Sequence, residues 1–117
     1  MKKSIGLVAV LIAILMVLPF LTGAPGNASE DEEIQKLIET ASTPEDNTKI
    51  AEYYEKQVGE AERKASFHAS MAEAYENRGK PLPGLAKHCE NLAKKYTEAA
   101  EEYKAMASEH MMMAKEK

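Results

Sequence analysis

No proline lies between Pro44 and Pro81, and none follows Pro83. Proline removes a backbone donor and clashes with the preceding turn of a helix, so its confinement to these places marks two long uninterrupted stretches. Between them, Arg78-Gly-Lys-Pro-Leu-Pro-Gly84 gathers two glycines and two prolines into seven residues. That composition ends one helix with a glycine after its last turn and reverses the chain. At ~1.5 Å per residue each stretch makes a helix of ~50 Å, far longer than the connection, so the two must fold back as an antiparallel hairpin. The first start is written as Thr43-Pro-Glu-Asp46. It offers a capping hydroxyl, proline where its missing N–H costs nothing, and acids at the positive end of the helix dipole. The alternation expected of strands is missing. The fold class is all-α: a hairpin domain over 43–117 behind a short N-terminal helix over 29–42. Ser29 with Glu32 reads as the capping box of that short helix, and Ile34, Leu37, Ile38 and Ala41 as its apolar stripe.

The N-terminus reads as an export signal. Lys2 and Lys3 precede an apolar run from Ile5 to Leu18, followed by Pro19 and the small-residue stretch Gly23-Ala-Pro-Gly-Asn-Ala28. Gly26 and Ala28 fit the small residues wanted before a cut, which places the signal peptide at 1–28. The competing reading is an uncleaved anchor, the only route by which this chain would meet a membrane; spanning takes ~20 apolar residues. The expected location is periplasmic or secreted. Removing Lys2 and Lys3 leaves 89 residues with 13 basic against 19 acidic side chains, a formal charge of −6. Such a balance argues against nucleic acid as a partner, because that affinity comes from neutralising phosphates with Lys and Arg. Cys89 is the one cysteine. It has no internal disulfide partner, and in an oxidising compartment a lone thiol calls for burial, a metal or another chain.

The two long stretches repeat each other. Shifted by 42, Ile50-Ala-x-x-Tyr54 lies on Leu92-Ala-x-x-Tyr96, and Ala65-Ser-x-His-x-x-Met-Ala72 on Ala107-Ser-x-His-x-x-Met-Ala114. Eight positions between Ala51 and Ala72 are identical in that register, including Tyr, Ser, His and Met matches that composition bias does not produce. The hairpin therefore reads as a duplicated helix. Heptad spacing puts Ile50, Tyr54, Ala61, Ala65, His68 and Ala72 on the inner seam of the first copy. In the second it puts Leu85, Cys89, Leu92, Tyr96, Ala99, Tyr103, Ala107, His110 and Ala114 there.

With the turn centred near residues 80 and 81, facing residues have numbers that add to about 161. His68 and Met71 then approach Cys89, with His88 at the edge, while His110 and Met113 approach Asp46 and Asn47 at the far end. Thiolate, thioether and imidazole together suit copper, Cu(I) above all, with zinc as the alternative for a Cys and His set. The candidate metal ligands are His68, Met71, His88, Cys89, His110 and Met113. The rival reading is packing: histidine bonded across the seam, methionine filling gaps, and buried cysteine behaving as a small hydrophobe. The chain would then be a helical interaction or structural module of the cell envelope with no metal.

The pattern Thr43-Pro with Ala51-x-x-Tyr54, His68-x-x-Met-Ala72 and His88-Cys-x-x-Leu-Ala-x-x-Tyr96 resembles a group of uncharacterised small exported bacterial all-helical proteins, over nearly all of the mature chain. Members often carry histidine just after the Thr-Pro start, where this sequence has Asn47; the resemblance thus implies a weaker second site. The organisation is also similar to that of small periplasmic metal-binding helical proteins. No enzyme is expected: adjacent His88 and Cys89 point about 100° apart, unsuited to a nucleophile and base, and no phosphate loop or cofactor fingerprint occurs. A lone hairpin leaves Val58, Phe67 and Met106 partly exposed. Pairing to a four-helix bundle as a homodimer, or packing on an envelope protein, would cover them.

Overall fold

A computed structural model describes residues 28–116 of the chain. The export-signal reading falls, but for Ala28, outside the described residues. Within them are three helices and no strand: α1 (Ala28–Thr40), α2 (Pro44–Asn77) and α3 (Pro83–Lys115). From Glu32 onward the chain forms one compact unit. None of the described helices is long and apolar enough to cross a membrane.

The start of α2 follows its sequence signal. The Asp46 amide donates to Thr43 Oγ1 at 3.0 Å, and the Asp46 carboxylate accepts from the amides of Thr43 at 3.3 Å and Ser42 at 3.1 Å. These bonds, that of Ser42 foremost, hold the Asp46 carboxyl below its ordinary value. Pro44 stands at the first helical position, where no donor is lost. At the N-terminus the outcome differs: α1 already includes Ala28, so Ser29 lies in its first turn and not at the cap.

The turn falls where proline and glycine place it, with a different ending for α2. Arg78 closes the helix in extended backbone (φ −70°, ψ 165°), and no left-handed glycine is used. The Leu82 amide instead reaches back to the Tyr75 carbonyl at 3.0 Å, and Pro83 opens α3. The two long helices pack against each other as an antiparallel hairpin.

Alanine dominates the seam. Ala51, Ala61 and Ala72 of α2 and Ala86, Ala100 and Ala107 of α3 are buried, with Ile50 the one large side chain fully enclosed. Burying Ile50 contributes about 1.5–3 kcal/mol, and the alanines mainly let the helix axes come close. The expected seam on α3 needs correcting. Leu85 and Leu92 are 46% and 40% exposed, while the neighbouring row of Ala86, Ala100 and Ala107 faces α2. Leucines in that row would hold the helices apart; alanines allow close approach, with Tyr54, Tyr96 and Tyr103 half-buried beside them. Phe67 and Met106 remain exposed, as the single interface of a hairpin requires.

Candidate functional site: two ends of one hairpin

His110 near the open end of the hairpin is engaged at Nδ1. Its Nδ1 lies 2.9 Å from Asn47 Oδ1, and the Asn47 side-chain nitrogen donates to the Thr43 carbonyl at 3.3 Å. The second bond fixes the orientation of the amide, so the oxygen faces the imidazole and accepts. His110 therefore carries a proton on Nδ1, and in the neutral ring leaves its lone pair on Nε2. Asn47 is buried. The Tyr54 ring stacks on His110 at 6.0 Å and 23°, and on Tyr103 at 6.1 Å. Met113 borders a shallow depression with Thr43, Pro44 and Asn47 and is 42% exposed.

Three heptads away a related arrangement returns, with Cys89 in the place of Asn47 and Ala61 in that of Tyr103. Counting 21 residues along α2 from Asn47 reaches His68, and 21 residues back along α3 from His110 reaches Cys89. In an antiparallel pair equal and opposite steps preserve facing, and whole heptads preserve the side of the helix, so Cys89 stands to His68 as Asn47 stands to His110. The ring stacks follow the same register: Tyr96 lies on His68 at 5.5 Å and 4°, the counterpart of Tyr54 on His110. The two ends are ~31 Å apart along the hairpin.

The ends part company at the imidazole. His68 Nδ1 is buried and has no hydrogen-bond partner. A buried polar atom left so costs about 1–3 kcal/mol relative to a satisfied one. Its ring is held in place by Tyr96 on one side and by the edge of Phe67 at 5.3 Å, with Lys64 over the far ring at 5.6 Å. Cys89 is a free, half-buried thiol. Met71, one turn beyond His68, is half-buried.

Of the six candidate ligands, then, His68, Cys89 and Met71 gather toward the turn, and His110 with Met113 lies at the open end. His88 is exposed. Among the described residues no group of three or more His, Cys, Asp or Glu side chains is close enough to share a metal ion. The roles of three residues escaped the sequence reading. Asn47 is the orienting partner of His110, not a substitute for a ligand, and Tyr54 and Tyr96 are the platforms on which the histidines lie. The signal for the tyrosines was present, since they recur in the same 42-residue register as the histidines. Comparison with protein-family models, curated proteins and solved structures finds no match to this chain.

Proposed function

We propose that this is an exported, non-catalytic protein that binds a soft metal ion, copper, through His68 and Cys89, with the Met71 thioether as a neighbouring donor. The observation that carries this reading is the bare Nδ1 of His68, buried at the place where its counterpart His110 is bonded. A protein retains such an atom at a cost, and a lone pair beside a thiol and a thioether is donor chemistry for Cu(I). Zinc fits less well, because it calls for four ligands and the hairpin assembles two of its preferred kinds. Export follows from the N-terminal pattern of Lys2, Lys3 and the apolar run to Leu18. On this reading the duplicated helix has kept two histidine platforms and specialised one of them.

The test is an anaerobic Cu(I), Cu(II) and Zn(II) titration of Ser29–Lys117 purified without a His tag. Tight Cu(I) binding that is lost in His68→Ala and retained in His110→Ala is the expected result. Micromolar or weaker binding of every metal would move the assignment to the second reading, a helical interaction module of the envelope. That reading is favoured by the exposed Leu85, Leu92, Met106 and Met113 on α3.

A further inference from the structure

The exposed apolar residues of α3 form a line. Leu85, Leu92, Ala99, Met106 and Met113 recur every seven residues, which keeps them on one side of a helix along its full length. Four of them are 40–46% exposed and Ala99 is half-buried. The hairpin seam uses the next row, Ala86, Ala100 and Ala107, so the two leucines and two methionines of this stripe are left over after α2 has packed, and Ala99 lies at its border with α2. Beyond it runs a second, exposed row: His88, Lys95, Glu102 and Glu109.

We infer that this stripe is the interface of a homodimer in which α3 of one copy packs antiparallel on α3 of another, with Ala99 at the two-fold axis. The stripe is apolar on both sides of that point, and the outer row changes from basic to acidic within one residue of the same level. Reversing the helix on itself at Ala99 sets Leu92 against Met106 of the partner, and Leu85 against Met113. The same reversal brings Lys95 within one residue, ~1.5 Å along the axis, of the level of the partner's Glu102, and His88 equally close to the level of the partner's Glu109. The basic half of the outer row thus meets the acidic half twice over, as charges flanking an antiparallel seam do. The smallest residue of the stripe falls where the helices cross, which permits close approach. Two-fold symmetry requires this kind of pairing, in which residue i meets j and j meets i. An anionic membrane is a poorer fit, since half of the outer row is acidic and would be repelled.

The experiment joins a site-specific cross-link to a charge swap. In a Cys89→Ser background, Ala99→Cys treated with a short bis-maleimide is expected to give a cross-linked dimer in high yield. Lys94→Cys, on the opposite side of α3, is expected to give little. Sedimentation equilibrium of the otherwise unaltered protein should show a dimer. Glu102→Lys should raise its dissociation constant roughly tenfold, and adding Lys95→Glu should restore it, because the pair is then reversed and intact. A monomer at every concentration overturns the proposal. So does equal cross-linking at the two positions, or a double charge variant no tighter than Glu102→Lys alone. None of these readouts involves metal, so failure here leaves the His68 and Cys89 reading to its own test.

Discussion

The two ends of the hairpin are built alike and finished differently. Each holds a histidine flat against a tyrosine, His110 on Tyr54 and His68 on Tyr96. At the open end the facing position carries Asn47, whose amide oxygen accepts a hydrogen bond from the imidazole N–H and whose nitrogen donates to the Thr43 carbonyl. Toward the turn the facing position carries Cys89, and the imidazole nitrogen has no partner. Cys89 in the place of Asn47 is the difference in the repeated frame that falls opposite the imidazole. Residue type alone predicts little here; two histidines in one shared Ala-Ser-x-His-x-x-Met-Ala pattern differ in whether Nδ1 meets a partner.

The comparison breaks most sharply in metal affinity. His68→Ala is expected to weaken Cu(I) binding by on the order of a hundredfold or more, beyond the effect of losing an outer partner, and His110→Ala to leave it within a few-fold. Competition with a chromophoric Cu(I) chelator under anaerobic conditions measures both. Equal loss in the two variants would mean that the ends are equivalent after all.

Stability should show the opposite asymmetry. Asn47→Ala leaves His110 Nδ1 buried without its acceptor, costing about 1–3 kcal/mol. For a domain of this size each kcal/mol is about 4–8 °C in Tm. Thermal denaturation followed by circular dichroism reads this directly, and an unchanged Tm would remove Asn47 from its assigned role.

A smaller effect is expected when one end is converted into the other. Cys89→Asn supplies at the turn-proximal end the amide found at the open end, so the bare His68 Nδ1 gains a partner. Metal-free stability should rise by about 1 kcal/mol while copper binding disappears. A fall in Tm would show that the two ends are not related as the ring stacks indicate.

The smallest effect concerns the frame that holds Asn47. The Asp46 carboxyl is held below its ordinary value, chiefly by the Ser42 amide. A folded value lower than the unfolded one contributes stability that is fully present above the unfolded value and is lost as pH falls through the folded one. Asp46→Asn should therefore flatten the acid limb of a Tm-against-pH profile and leave neutral pH little changed, Thr43 still capping the helix. An unaltered acid limb would place the dependence on other carboxylates.

Much of this architecture is legible in the sequence, and the illegible parts have physical reasons. The Thr43-Pro-Glu-Asp46 start, the turn at Arg78–Gly84 and the antiparallel pairing follow from local chemistry and chain length, which act before any tertiary contact. The rotation of α3 does not. Leu85 and Leu92 lie beside Ala86, Ala93 and Ala100 with the same seven-residue spacing, so periodicity admits either row. Close approach of two long helices selects the alanines. Gly79 marks the turn, yet the backbone closes α2 with Arg78 in an extended conformation, a choice that depends on the Leu82 to Tyr75 bond across the turn. At the site, the pairing of His110 with Asn47 was visible as an opposition of positions. Its meaning was not, because an amide facing an imidazole looks like a missing ligand until the Thr43 bond shows which atom it presents. The vacancy at His68 is a property of atoms, not of residue types, and no spacing encodes it.

The central claim is that Cys89 and His68 form the metal-binding end, and one comparison tests it most directly. Anaerobic Cu(I) titration of Ser29–Lys117 and its Cys89→Ser variant should be run beside thermal denaturation of both. The account predicts one tightly bound copper per chain in the parent, none in the variant, and similar helicity with a Tm change no greater than a buried hydroxyl produces, about 1 kcal/mol. Identical copper binding in the two proteins, with a marked fall in Tm for the variant, would make Cys89 a packing residue and contradict it.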